Sequence, residues 1–190
     1  IDILRSKQID LFTRQGLRQL FPSISQSGLS AAIGRLIKTK TISRIEKSKF
    51  QFLLSSFPSH EYKLANFIYQ PSYISLETAL SFYGIIDQFT YQITSITTKK
   101  AIAKTYLQKE YSYAHLESKL FTDYILQDGY LIATPHKALF DYCYLALRGF
   151  RSRNNLDLIN LSQTKKQQFI SYISQNYKLP NLLNFVKNNL

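Results

Sequence analysis

Between Arg35 and Lys49, six cations (Arg35, Lys38, Lys40, Arg44, Lys47 and Lys49) occupy fifteen positions, with Glu46 the one acid among them. Such a density of ammonium and guanidinium groups is chemistry for phosphate, because these groups neutralise a polyanion's backbone and release its counterions. The whole chain points the same way: 24 Lys+Arg against 12 Asp+Glu leave its 190 residues at +12. A field of that sign draws nucleic acid first and an anionic membrane next. The excess is denser at the start. Residues 1–57 carry ten basic and three acidic side chains, a net +7, while residues 58–190 carry fourteen and nine, a net +5.

Carboxylates offer a second chemistry. A Mg²⁺-dependent nuclease needs two or more acids around the metal and often a nearby Lys. Glu61–Lys63 and Glu117–Lys119 have Glu-x-Lys spacing, which places both side chains on one face of a strand, and Asp123, Asp128 and Asp141 follow. Twelve acids make such groupings by chance. His60, His115 and His136 are far apart, and no Cys/His pair has zinc spacing. No phosphate-binding glycine loop, dinucleotide turn or nucleophile elbow is present. The expectation is therefore a protein that is not an enzyme and has no catalytic residue, metal or cofactor. Cys143, the one cysteine, lies in the apolar run "LFDYCYLAL" and reads as a packing thiol. A single cysteine suits a reducing cytoplasm, and no run reaches the roughly 18 apolar residues of a membrane span. No export pattern opens the sequence.

The basic run needs elements to hold it. "IDILRSKQIDLFTRQGLRQLFPSIS" reads as two short helical pieces, the second capped by Thr13 and stopped by Pro22. Ser27 is the expected cap of the next helix, in which Leu29, Ile33, Leu36 and Ile37 form one apolar stripe. Its opposite face shows Ser27, Ser30, Ala31, Gly34, Arg35 and Lys38: small at one end and basic at the other, as a groove-reading helix needs. "KTISRI" and "KFQFLL" then read as two strands around a charged tip, "EKSK". Three helices and a basic hairpin in about fifty residues is the winged helix-turn-helix order. Lys40, Arg44, Lys47 and Lys49 would lie along the wing. A polar break at "SSFPSHEY" divides residues 1–57 from residues 58–190. The expected fold is α+β: an N-terminal winged helix-turn-helix domain followed by a mixed α+β domain.

Three later blocks have plain local readings. In "PSYISLETALSFYGII", Ser75 is the expected cap of a helix that Gly84 ends. "ITSITTKK" is a β-branched strand with a basic exit, and "LIATPHKALFDYCYL" is a strand followed by a helix with Thr134 as cap and Pro135 at its first position. In this order, behind a winged-helix pattern, the blocks resemble AbiEi-type antitoxins of type IV toxin–antitoxin systems, over roughly residues 10 to 150. His136 departs from the family, which usually has Glu there. The resemblance implies a repressor that binds inverted repeats in its own operator DNA. It also implies a second domain that opposes a nucleotidyltransferase-like toxin, direct contact not being required. The expected DNA-binding residues are Ser27, Ser30, Arg35, Lys38, Lys40, Arg44, Lys47 and Lys49. A secondary basic site is Lys99, Lys100 and Lys104 with Arg148, Arg151 and Arg153. The alternatives are a metal-dependent nuclease using Glu117 and Asp141, or an RNA-binding module.

Overall fold

The computed structural model describes residues 1–54, 60–87 and 91–190, the side chains of residues 154 and 155 excepted. The chain is mixed α+β and divides into two compact units, Ile1–Ile68 and Tyr69–Leu190. The expected boundary at 57/58 falls outside the described residues; the first unit includes a further helix beyond it.

In the first unit α1 (Asp2–Ser6), β1 (Leu11–Thr13), α2 (Arg14–Leu20) and α3 (Gln26–Lys38) precede the strands β2 (Ile42–Glu46) and β3 (Lys49–Phe52) and then α4 (Glu61–Ile68). Thr13 caps α2 as expected, its Oγ1 accepting from the Gly16 N–H at 3.0 Å. The expected stripe forms: Leu29 and Ile33 are buried with Leu4, Phe12, Leu17, Ile42, Phe50 and Phe52, while Leu36 and Ile37 pack at the margin. The three strands form an antiparallel sheet in the order β1-β3-β2. Strand β1 was not expected. Its three residues are too few for alternation to show, and pairing with β3 over Leu11↔Gln51 to Thr13↔Lys49 creates it. The hairpin closes tightly, with Glu46 opposite Lys49 and Lys47–Ser48 at the tip. Leu54, expected in the second strand, lies beyond β3 and is exposed.

The second unit is a six-stranded mixed sheet in the order β6-β7-β5-β4-β9-β8. Its strands are β4 (Ser72–Ile74), β5 (Ile93–Thr97), β6 (Ile102–Tyr106), β7 (Lys109–His115), β8 (Tyr124–Gln127) and β9 (Tyr130–Ala133). Helices α5 (Leu76–Phe82), α6 (Pro135–Leu147), α7 (Gln163–Asn176) and α8 (Pro180–Asn189) complete it, α6 packing against the other three. Thr134 caps α6 and Gly84 ends α5 at φ +63°, both as expected. Ser75 stands at the cap position of α5 as expected, but its side chain makes no capping bond. Its hydroxyl donates to Asp141 at 2.8 Å, and Thr94 of β5 accepts from the Thr78 N–H at 3.0 Å in its place. Leu76 enters the helix at φ +58°, a strain of roughly 1–2 kcal/mol that the fully buried surroundings impose.

The core of this unit contains a closed polar knot. The Lys137 ammonium lies 2.8 Å from the Asp141 carboxylate and donates to the Leu120 carbonyl at 2.6 Å, both side chains having no exposure. Tyr73 donates to the same carboxylate at 2.9 Å. Burial pushes the Asp141 carboxyl above its ordinary value, while Lys137 and the two hydroxyls pull it down. Removing one partner leaves a buried charge, so Asp141→Ala is expected to lose roughly 3–5 kcal/mol of stability. Replacing both, as Lys137→Met with Asp141→Leu, is expected to recover most of it, and urea denaturation of the parent and the two variants checks this.

Candidate nucleic-acid interface

Helix α3 begins earlier than its sequence implied. Ser25, not Ser27, is the cap: its Oγ accepts from the Gly28 N–H at 3.1 Å, and Ser27 contributes only a hydroxyl contact to Ser25 at 3.1 Å. The extended backbone of Ser25 (ψ 157°) allows this, and Gly28 leaves room, since a Cβ there would meet Ser25 Oγ at 3.1 Å. The outward face is as expected: Ser27, Ser30, Ala31, Gly34, Arg35 and Lys38 are all exposed. A Cβ on Gly34 would meet nothing within 4 Å. No neighbour among the described residues requires that residue to be small, although glycine costs a helix roughly 0.5–1 kcal/mol relative to alanine.

Among the expected cations, Arg35, Lys38, Lys40, Arg44 and Lys47 are exposed, and no ion pair among the described residues engages any of them. Arg35 and Lys38 are one turn apart on α3. Lys40 follows in the link to β2, at φ +52°. Arg44 lies on β2 opposite Phe50, its guanidinium 5.9 Å from that ring, and Lys47 stands at the hairpin tip. Lys49 does a different job. Its ammonium donates to the Ile68 carbonyl at 2.7 Å, lies 3.5 Å from Glu46 and sits 5.6 Å over Phe67, which ties α4 to the sheet. A strand position facing the protein decides this, and sequence spacing does not reveal it.

Ser30 is also differently occupied. Its Oγ donates to the Gln26 carbonyl at 2.8 Å and accepts from Arg14 Nη2 at 3.0 Å. The Arg14 main-chain N–H donates to the Ser48 carbonyl at 2.8 Å. Arg14 therefore links α2, the hairpin tip and α3. Sequence reading missed it because a lone arginine outside the basic run gives no signal.

The expected secondary basic residues have different partners. Lys99 and Lys104 place their ammonium groups 5.6 and 5.3 Å from the Tyr69 ring centroid, and the Lys100 carbonyl accepts from the Tyr69 hydroxyl at 3.1 Å. The arginines are divided. Arg148 pairs with Glu117 at 3.4 Å, Arg151 with Glu77 at 3.4 Å, and Arg153 lies 5.4 Å over Phe185.

The nuclease arrangement does not assemble from its named acids. Asp141 is sealed in the polar knot. Glu117 is bonded by Lys119 at 2.8 Å, which holds its carboxyl below the usual range. Asp123 accepts from Tyr172 and Tyr177, and Asp128 sits in the β8–β9 turn at φ +46°. Glu61 and Lys63 lie two apart on a helix, so they do not share the face that a strand would give them. Among the described residues no group of three or more His, Cys, Asp or Glu could hold a metal ion. Cys143 is buried, which pushes its thiol far above the ordinary value and leaves it unreactive. No helix among the described residues is long and apolar enough to cross a membrane. Compared with known proteins, the chain matches no family model and no curated protein.

Two neighbouring lysines should separate in experiment. Lys49→Ala is expected to lower unfolding free energy by about 1–2 kcal/mol through the lost Ile68 and Glu46 contacts. Lys47→Ala should stay within about 0.5 kcal/mol of the parent in the same denaturation series.

Proposed function

We propose that the first unit is a winged helix-turn-helix that binds duplex DNA, with α3 in the major groove and the β2–β3 hairpin as the wing along the backbone. The observation that carries this reading is the set of five exposed cations on α3, its exit and the hairpin, none of them in an ion pair among the described residues. Two features support it. The order of three helices followed by a hairpin, closed by β1 into a three-stranded sheet, suits a helix presented outward beside a wing. The unexplained smallness at Gly34 suits close approach by a surface outside the protein.

The chain acts on this reading as an operon repressor in the cytoplasm, at inverted repeats in its own operator, and as the antitoxin of an AbiEi-type type IV system. The second unit opposes a nucleotidyltransferase-like toxin without having to touch it. That half rests on the resemblance of the three sequence blocks. It is supported by their meeting in space: Tyr73 and Ser75 of the first block bond Asp141 of the third, and Thr94 of the second donates to the Ser75 carbonyl at 2.7 Å.

Gel retardation of the native upstream region beside scrambled duplex tests the reading. Neutralising about five phosphates at roughly −0.9 each gives an expected log–log salt slope near −4.5 per protomer. Arg35→Ala should weaken binding, and a larger loss on the operator than on scrambled DNA would mark Arg35 as a base reader. Gly34→Ala should raise stability by about 0.5–1 kcal/mol while weakening retardation. A slope near zero, Mg²⁺-dependent cleavage, or displacement of duplex by single-stranded RNA would each sink the repressor reading.

A further inference from the structure

We propose that Arg14 is a backbone-phosphate anchor of this interface and that Ser30 is its positioning residue, acting through Arg14 and not on DNA directly. This rests on the duplex-binding reading above.

The geometry begins with Ser30. A serine hydroxyl has one proton and two lone pairs. The proton is committed to the Gln26 carbonyl at 2.8 Å, and one lone pair accepts from Arg14 Nη2 at 3.0 Å. Ser30 therefore has no donor left for a phosphate oxygen or for a base acceptor. Arg14 is in the opposite condition. Its guanidinium carries five N–H donors, of which Ser30 takes one, and no ion pair among the described residues engages it. Donors remain in the planar fork that matches two oxygens of one phosphate.

The group is also fixed before any ligand arrives. The Arg14 main chain is held to the hairpin tip through Ser48, and its side chain is held to α3 through Ser30. A long side chain ordered in advance loses less freedom on binding, which favours the complex. Position matters as well. Arg14 opens α2, the helix before the groove-reading helix, and in helix-turn-helix proteins that helix crosses the DNA backbone. A phosphate is therefore the expected contact, and a phosphate contact carries no base preference.

The test uses the full chain, with fluorescence anisotropy on native upstream duplex and on scrambled duplex across a salt series. Arg14→Ala should weaken both complexes by the same factor, roughly tenfold or more. It should also lower the salt slope by about 1. Arg14→Lys should restore the slope but only part of the affinity, because the charge remains and the fork does not. Ser30→Ala should weaken binding in the parent and add nothing in the Arg14→Ala background. A purely structural role would leave the slope unmoved. Should Arg14→Ala fold poorly by circular dichroism, Arg14→Lys and Ser30→Ala decide the question. If the parent and Arg35→Ala behave as a duplex-binding protein should while Arg14→Ala keeps full affinity and slope, the anchor is overturned alone. An equal cost of Ser30→Ala in both backgrounds overturns the positioning role. A parent chain that binds no duplex overturns this inference together with the reading beneath it.

Discussion

The ion pair between Lys63 and Asp10, 2.8 Å long and largely withdrawn from solvent on the Asp10 side, takes up one of the four carboxylates of the first unit. A carboxylate free to approach the α3 face would neutralise it at short range, where opposite charges attract most. Asp10 is occupied, accepting from its neighbour's N–H and from a lysine of α4. Glu46 lies inside the basic run and is taken up by Lys49. The remaining acids of the unit, Asp2 and Glu61, stand in first turns of helices, where negative charge is favourable. Lys49 and Lys63 act as internal counterions, and no ion pair among the described residues engages the exposed cations of α3 and the hairpin.

The second unit illustrates a different use of charge. Lys137, Asp141, Tyr73 and Ser75 are residue types that catalyse reactions elsewhere, yet here every one is buried to exclusion of solvent. Tyr73 and Ser75 both donate to one Asp141 oxygen while Lys137 pairs with the other, and such pairing is the condition for a buried charge to be tolerated at all. The blocks that make the sequence resemble an antitoxin family are the ones that tie this knot. Their shared feature in the structure is accordingly one of architecture.

Local signals were legible where the chain solves a problem within a few residues. Thr13 and Thr134 cap their helices, the Leu29–Ile33–Leu36–Ile37 stripe faces the core, and Gly84 takes the left-handed turn. The failures involve partners distant in sequence. Ser75 looked like a cap until Asp141, sixty-six residues on, claimed its hydroxyl, and Thr94 took over the vacated role. Lys49 looked like its neighbours Lys47 and Arg44 until the Ile68 carbonyl drew it inward. Ser30 and Arg14 have no mutual signal at a separation of sixteen. On the candidate surface, five of the six cations of the basic run point outward as the sequence implied, and Lys49 alone is drawn in by a partner the sequence does not reveal.

Lys40 shows how such a surface constrains its own improvement. The link from α3 to β2 bends through a backbone conformation that glycine adopts freely and lysine does not. Selection for heat resistance alone would drive this position toward glycine, gaining a relaxed bend and surrendering one charge. Glycine brings no ammonium group and lysine no backbone freedom, so a relaxed bend and a positive charge compete at a single codon.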